Sequence, residues 1–293
     1  MQLIRSVQKT LRPFIYPALR LCYYKRMPDV RTVDETLDLL ISSECSMSRF
    51  GDGELESIYM VTNNFSNADS GLSRRLAEVL SSDLPGHIIG LPQVFVSLKQ
   101  HSDTSREFWL YHIRRNIDKW LEHLRPGKTY YCSHISRFYI AFRDKSDAPR
   151  IAAKLKKVWE GRHVLIVEGQ ATRMGIGNDL FDRTASVSRI LCPATNAYSR
   201  YDEILAQARA HGRDKLILIA LGQTATVLAY DLATAGYRAI DIGHIDIEYE
   251  WMLMGVSERV ALENKYVNEI EGGGNVTHLS DETYRSQVVA HIE

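Results

Sequence analysis

Apolar residues fall along this chain at two periods, and the two periods take turns. His163-Val164-Leu165-Ile166-Val167, Ser188-Arg189-Ile190-Leu191 and Arg238 to Ile242 are short runs bounded by glycine or proline, and each predicts a strand. Lys215-Leu216-Ile217-Leu218-Ile219-Ala220-Leu221 is apolar without a break, as in a strand buried on both faces of a parallel sheet. Between these runs, Tyr201 to Ala210 and Thr224 to Ala235 follow the helical period, the second stopping at Gly236. The first half repeats the theme less regularly. Strands are predicted at Cys45–Phe50, His87–Leu91 and Thr129–Cys132. Helices are predicted after Thr32 or Asp34, over Leu72–Leu80, over residues 103–123, through Phe138, Ile140 and Ala141, and over Ala148–Trp159. This alternation predicts an α/β fold, a Rossmann-like, doubly wound, mostly parallel sheet with flanking helices. Ligands of such folds bind beyond the carboxyl ends of the strands.

Charge changes that picture at one end only. The chain carries 36 basic and 36 acidic residues, so nothing in the overall balance points to nucleic acid. Residues 1–27 hold Arg5, Lys9, Arg12, Arg20, Lys25 and Arg26 and no acid, interleaved with Tyr16, Tyr23, Tyr24 and aliphatic residues. Either peripheral contact with an anionic membrane surface or packing on the domain accounts for that segment, and Pro13 and Pro17 argue against one straight helix. It is set apart from a single domain over residues 28–293. No run is long enough to span a membrane, and no secretory signal is apparent. The 4 cysteines lie far apart, as in a protein with reduced thiols. The expected location is cytoplasmic, with peripheral contact at the inner membrane face through residues 1–27.

The polar outliers gather at predicted strand ends. Ser48-Arg49-Phe50-Gly51-Asp52-Gly53-Glu54 joins a strand to a helix. Asp52 and Glu54 there suit a divalent metal, Mn²⁺ or Mg²⁺, and Arg49 suits a phosphate. An Asp cap with a first-turn Glu would look the same. Glu168 to Asp179 contains Gly169, Gly175 and Gly177 with Arg173 and Asn178. It reads as a phosphate loop at a helix N-terminus or as a structural turn. Leu221-Gly222-Gln223-Thr224 opens a helix, with Thr224 as a candidate cap. In the stretch Asp241 to Trp251, acids alternate with bulky residues. If that chain stays extended, Asp246, Glu248 and Glu250 share a face beside His244.

Together, Ser48 to Glu54, Arg173 to Asn178, Leu221 to Ala225, Asp241 to Trp251 and Lys265-Tyr266-Val267-Asn268-Glu269 resemble the GT-D-type glycosyltransferases, bacterial enzymes with an Asp-X-Glu metal motif. The resemblance covers roughly residues 30–270. It implies a nucleotide-sugar donor, commonly UDP-linked, a divalent metal on Asp52 and Glu54, and a glycan, glycoprotein or lipid-linked sugar acceptor. Gln223 departs from the proline that the family loop carries. On this reading Arg49, Gly51, Arg173, Gly175, Gly177, Asn178, Gly222 and Thr224 surround the donor, Asp246 or Glu248 serves as the catalytic base, and His244 shares that task or supports a ligand. A metal-dependent phosphohydrolase or nucleotidyltransferase, or a non-catalytic nucleotide-binding module, would use the same loops.

Overall fold

The structure, a computed structural model, describes residues 15–63, 66–267, 269–270, 273–274, 276 and 281–293. Residues 1–14 of the basic segment and Asn268 of the last motif lie outside the described residues. In chain order the elements are α1 (15–22), β1 (Asp29–Val30), α2 (Val33–Ser42), β2 (Ser46–Arg49), α3 (Asp52–Ile58), α4 (Ser70–Ser81), β3 (His87–Leu91), α5 (Asp103–His123) and β4 (Thr129–Cys132). Then follow α6 (Ala148–Lys156), β5 (His163–Gly169), β6 (Ser186–Cys192), α7 (Tyr201–Gly212), β7 (Leu216–Ala220), α8 (Gln223–Thr234), β8 (Ala239–Asp241), α9 (Ile245–Met254), α10 (Glu282–Gln287) and β9 (Val288–His291).

The strands form one nine-stranded sheet in the order β1-β4-β3-β2-β8-β7-β5-β6-β9, and every pairing is parallel. Successive residues of each strand feed opposite faces, as the pleat requires. Val164, Ile166, Leu216, Leu218 and Ile240 pack on one side with α2, α6 and α9. Leu165, Val167, Ile217 and Ile219 pack on the other with α7 and α8. Ile89 and Leu91 extend that second layer beneath α3, α4 and α5. Helices cover both faces, which is why the central strands read as apolar runs rather than as alternation.

The centre of the sheet positions the cleft. The chain leaves β2 into α3, on the face that carries α4 and α5, and leaves β8 into α9, on the opposite face. Two neighbouring strands whose exits diverge leave a crevice at their carboxyl ends.

Four expectations change. Residues 133–136 form a 3-10 turn, and the chain through Phe138, Ile140 and Ala141 is irregular rather than helical. Its Tyr139 and Ile140 N–H groups donate to Glu248 Oε2 at 2.9 and 3.0 Å instead of to a helical turn. Among the described residues no helix lies between β5 and β6, so the glycine loop does not end at a helix N-terminus. The cap of α8 is Gly222, at φ +52°, and Thr224 lies buried within the first turn. Residues 245–254 are helical, not extended. Ile245, Ile247, Tyr249 and Trp251 are all buried, so α9 is apolar on several sides and has no polar face to reveal its period.

Candidate active site

A cleft of about 1280 Å³ opens at the carboxyl ends of β2, β8, β7, β5, β3 and β4. Arg49 at the end of β2 forms part of its floor. Its Nε donates to the Asp241 carbonyl at 2.7 Å, its Nη2 to Asp241 Oδ1 at 2.6 Å, and its Nη1 to Ser136 Oγ at 2.5 Å. Asp241 is 2% exposed, and Thr226 Oγ1 donates to its Oδ2 at 3.3 Å. Burial raises the Asp241 carboxyl, and the Arg49 charge opposes that. Gly243 makes room for the pair: a Cβ there would lie 2.0 Å from Arg49 Nη2, at φ +44°.

Gly51 caps α3 in extended backbone and donates its N–H to Glu54 Oε2 at 2.7 Å. Glu54 therefore closes the first turn of α3, while its Oε1 accepts no hydrogen bond among the described residues. Burial and the nearby Asp241 charge push its carboxyl up to about 7. Asp52, on the same turn, lines the cleft and has no hydrogen bond among the described residues. Among those residues no group of three or more His, Cys, Asp and Glu is placed to hold a metal unaided. Two carboxylates on one turn nevertheless fit an ion such as Mg²⁺, which commonly takes one or two carboxylates and completes its shell with phosphate oxygens and water.

The glycine loop is spent on internal bonds. Glu168, fully buried, accepts from Arg189 Nη1 at 2.6 Å and from the Met174 N–H at 2.8 Å. The Gly175 N–H and Asn178 Nδ2 donate to Asp246 Oδ1 at 2.9 and 2.8 Å. Arg173 turns away from the cleft and donates to the Asn264 carbonyl at 2.9 Å. Gly175, Gly177 and Asn178 do not line the cleft either, whereas Gly169, Thr172 and Met174 of the same loop do. At the β7 end, Gly222 lines the cleft and Thr224 does not. Gln223 occupies the first position of α8, where a proline fits because no intrahelical N–H is needed. Its Nε2 lies 3.4 Å from Asn63 Oδ1.

The helical turn of α9 separates the three acids that an extended chain would have aligned. Asp246 and Glu250, one turn apart, share Lys265 Nζ, which is 2.7 Å from each. Both Asp246 oxygens are thus engaged. Glu248 is 1% exposed and lines the cleft; its Oε2 takes the two backbone donors of residues 139 and 140, and its Oε1 accepts no hydrogen bond among the described residues. Burial raises its carboxyl above the ordinary range, against the pull of Arg137. His244 lines the cleft as a neutral imidazole, because burial and the Arg137 charge push it down to about 3. A group so hard to protonate is a poor proton acceptor near neutral pH.

Sequence reasoning missed Arg137 and assigned no role to Glu269. Arg137 follows β4, lines the cleft, and is ion-paired with Glu269, to which Arg259 Nε also approaches at 3.1 Å. The available signal was position alone: Arg137 stands just past a strand's carboxyl end. Among the described residues, seven carboxylates (Asp52, Glu54, Glu56, Asp246, Glu248, Glu258 and Glu269) and three guanidiniums (Arg49, Arg137 and Arg259) line the cleft. An anionic phosphate ligand entering such a space needs a further cation.

A doubly wound parallel sheet with a polar crevice at the strand ends defines a ligand-binding α/β protein. Comparison with known proteins narrows that class. The chain belongs to the family described as the glycosyltransferase GT-D fold, whose model matches residues 47–270. It is 40% identical over 269 residues to a probable glycosyl transferase, Gly, of Streptococcus gordonii, covering 92% of this chain and 39% of that protein. It is 38% identical over 264 residues to the glycosyltransferase GlyD of Streptococcus pneumoniae serotype 4 (strain ATCC BAA-334 / TIGR4), covering 90% of this chain and 32% of that protein. The chain thus spans well under half the length of these two relatives. A solved structure described as a new glycosyltransferase (DUF1792) from Streptococcus sanguinis superposes with a TM-score of 0.87 at 40% identity, covering 91% of this chain and all of that one. Another, described as the highly conserved domain of unknown function 1792 with a distinct glycosyltransferase fold, gives 0.88 at 36% identity, covering 92% of this chain and 98% of that one.

Proposed function

We propose that the protein transfers a sugar from a nucleotide-sugar donor, UDP-linked in the simplest case, to a hydroxyl of a glycan, glycoprotein or lipid-linked acceptor, with Mn²⁺ or Mg²⁺ as cofactor. The observation that carries this reading is the charge of the cleft. Its carboxylates outnumber its guanidiniums, and Asp52 and the Oε1 of Glu54 accept no hydrogen bonds among the described residues. Asp52 and Glu54 would hold the ion, which supplies Lewis-acid stabilisation of the charge that develops on the departing diphosphate. Arg137 adds a fixed positive charge at the same end of the cleft. Glu248 is the better placed of the two acids on α9 to accept the acceptor's hydroxyl proton, because Asp246 is committed to Lys265, Gly175 and Asn178. Its raised pKa makes it a stronger base than an exposed carboxylate.

Thermal shift with UDP, with and without Mn²⁺, tests the reading, since a ligand selective for the native state raises its melting temperature. UDP should stabilise the protein far more with the metal present. Asp52→Asn and Glu54→Gln should lose that increment, and with it transfer, while melting as cooperatively as wild type. Undiminished turnover in either variant, or in excess EDTA, rules the reading out.

A further inference from the structure

The cleft is larger than one ligand requires. At about 1280 Å³ it exceeds the roughly 300–1,000 Å³ of a pocket that encloses one small molecule. The wall built by the first turns of α5, which packs against α3, has no part in the donor chemistry above. Ser102, Thr104 and Ser105 line it; Ser102 Oγ accepts from the Ser105 N–H at 3.4 Å and Ser105 Oγ bonds His101 Nδ1 at 3.1 Å, and the Thr104 hydroxyl has no partner among the described residues. Phe108 is 47% exposed although it lines a concave surface, and it meets the buried Trp109 edge to face at 5.3 Å between ring centres. His134, from the turn after β4, lines the cleft with its ring 6.3 Å from that of Trp109. It is 4% exposed, and its buried Nδ1 has no hydrogen-bond partner. Glu56 lies one turn beyond Asp52 on α3 and also lines the cleft.

We propose that this wall is the acceptor subsite, with Phe108 as the platform on which one pyranose ring of a glycan stacks. The proposal rests on the glycosyltransferase reading. A pyranose has an apolar C–H face and a rim of hydroxyls, so it needs an aromatic surface beside neutral donors, acceptors and a carboxylate. Phe108, the three hydroxyl residues, His134 and Glu56 supply that set. None of the cleft residues from α3 and α5 is a cation, so the wall is unsuited to a phosphate. A nucleoside would also stack on a ring, but Phe108 stands nearly half in water at the rim, where a growing chain must leave. Gly169, Ala220 and Leu221, at the ends of β5 and β7, leave the nucleoside a place on the cleft apart from this wall.

Binding to the full chain decides it. Maltose, cellobiose, lactose and chitobiose are titrated separately and followed by saturation-transfer NMR, and UDP with Mn²⁺ is titrated in a parallel arm. At least one disaccharide should bind wild type. Phe108→Ala should weaken it roughly threefold to tenfold, Phe108→Trp should restore it, and UDP affinity should stay within about twofold in both. Phe108 is half exposed, so losing its contacts with Trp109 and His112 should leave the fold intact, which an unchanged cooperative melt of each variant verifies. If no disaccharide binds wild type, or Phe108→Ala leaves sugar affinity unchanged, the subsite is refuted. Weakened UDP binding in Phe108→Ala assigns the ring to the nucleoside and refutes it equally. Sugar binding through Phe108 in a protein that ignores UDP would keep the subsite and discard the donor reading.

Discussion

At Gly243 a single methyl group decides whether the floor of the cleft can form. An alanine Cβ would sit 2.0 Å from Arg49 Nη2 and hold a positive φ. Gly243→Ala should therefore break the Arg49–Asp241 pair, leave Asp241 buried without its counter-charge, and destabilise the fold by about 2–4 kcal/mol. A melting temperature within a degree of wild type would show that the guanidinium can swing aside at no cost. The acids of α9 separate on the same scale. Glu248→Gln should cut kcat and kcat/KM together by on the order of 10²–10⁴ with donor affinity unchanged. With its pKa raised by burial, Glu248 should give wild type an activity limb that rises with pH above 4.5, the value of an unperturbed glutamate. In the amide variant that limb should shrink to the part that Glu54, raised to about 7, contributes, and full kcat in it would remove Glu248 from the mechanism.

At the scale of elements, the segment 257–270 is tied to the body by the Arg137–Glu269 pair, by the Lys265 bridge to α9 and by bonds to Ala171, Arg173 and Trp251. Arg259 pairs with Glu269 within the segment. Burial pushes the Glu269 carboxyl up, but Arg137, His244 and Arg259 pull it down to about 2. A depressed carboxylate contributes stability that is present above its unfolded value of 4.5 and is lost as pH falls through the folded one. Wild type should thus lose stability between pH 4.5 and about 2, and Glu269→Gln should be less stable at pH 7 but flatter across that window. Parallel acid-unfolding curves would assign the loss to other groups. The order of strands and helices was legible wherever burial on two faces left unbroken apolar runs, as at Leu216–Ala220, or where one helix face stayed wet, as in α5. It was illegible in α9, where burial on several sides erased the period and the acids mimicked alternation. In the cleft, the sequence exposed the turn of Asp52 and Glu54, because glycine flanks it. It hid the commitment of Asp246 to Lys265, a partner 19 residues on, and the approach of Arg137 to Glu269 across a gap that no local pattern spans.

The molecule as a whole presents a second face at α1. Tyr16 donates its hydroxyl to the Val94 carbonyl at 2.6 Å and Tyr23 to Asp118 at 3.0 Å, so the described part of the basic segment is packed on the body. Leu21 and Tyr24 remain 80% and 75% exposed, beside Lys25 and Arg26. Among the described residues no helix is long and apolar enough to cross a membrane. Two exposed apolar residues within a basic stretch suit the interface of an anionic bilayer. Co-sedimentation with phosphatidylserine vesicles should fall when Leu21→Asn and Tyr24→Ser are combined, and should weaken in high salt. Equal sedimentation of variant and wild type would leave α1 as packing alone.

The central position of β2 has a kinetic consequence. Its Met47 pairs with Ile240 of β8, a partner that synthesis supplies only after almost two hundred further residues. At roughly 5–20 residues per second, that edge of β2 waits about 10–40 s on the ribosome before its neighbour exists. An open aliphatic edge would invite pairing with other nascent chains. The strand reads Ser-Met-Ser-Arg, the most polar of the central strands. Ser46 and Ser48 direct their hydroxyls to the carbonyls of Tyr237 and Thr226, groups made late in synthesis. The same two hydroxyls thus tie the early half of the sheet to the late half once it arrives, and the cleft at the carboxyl ends of β2 and β8 is complete only then.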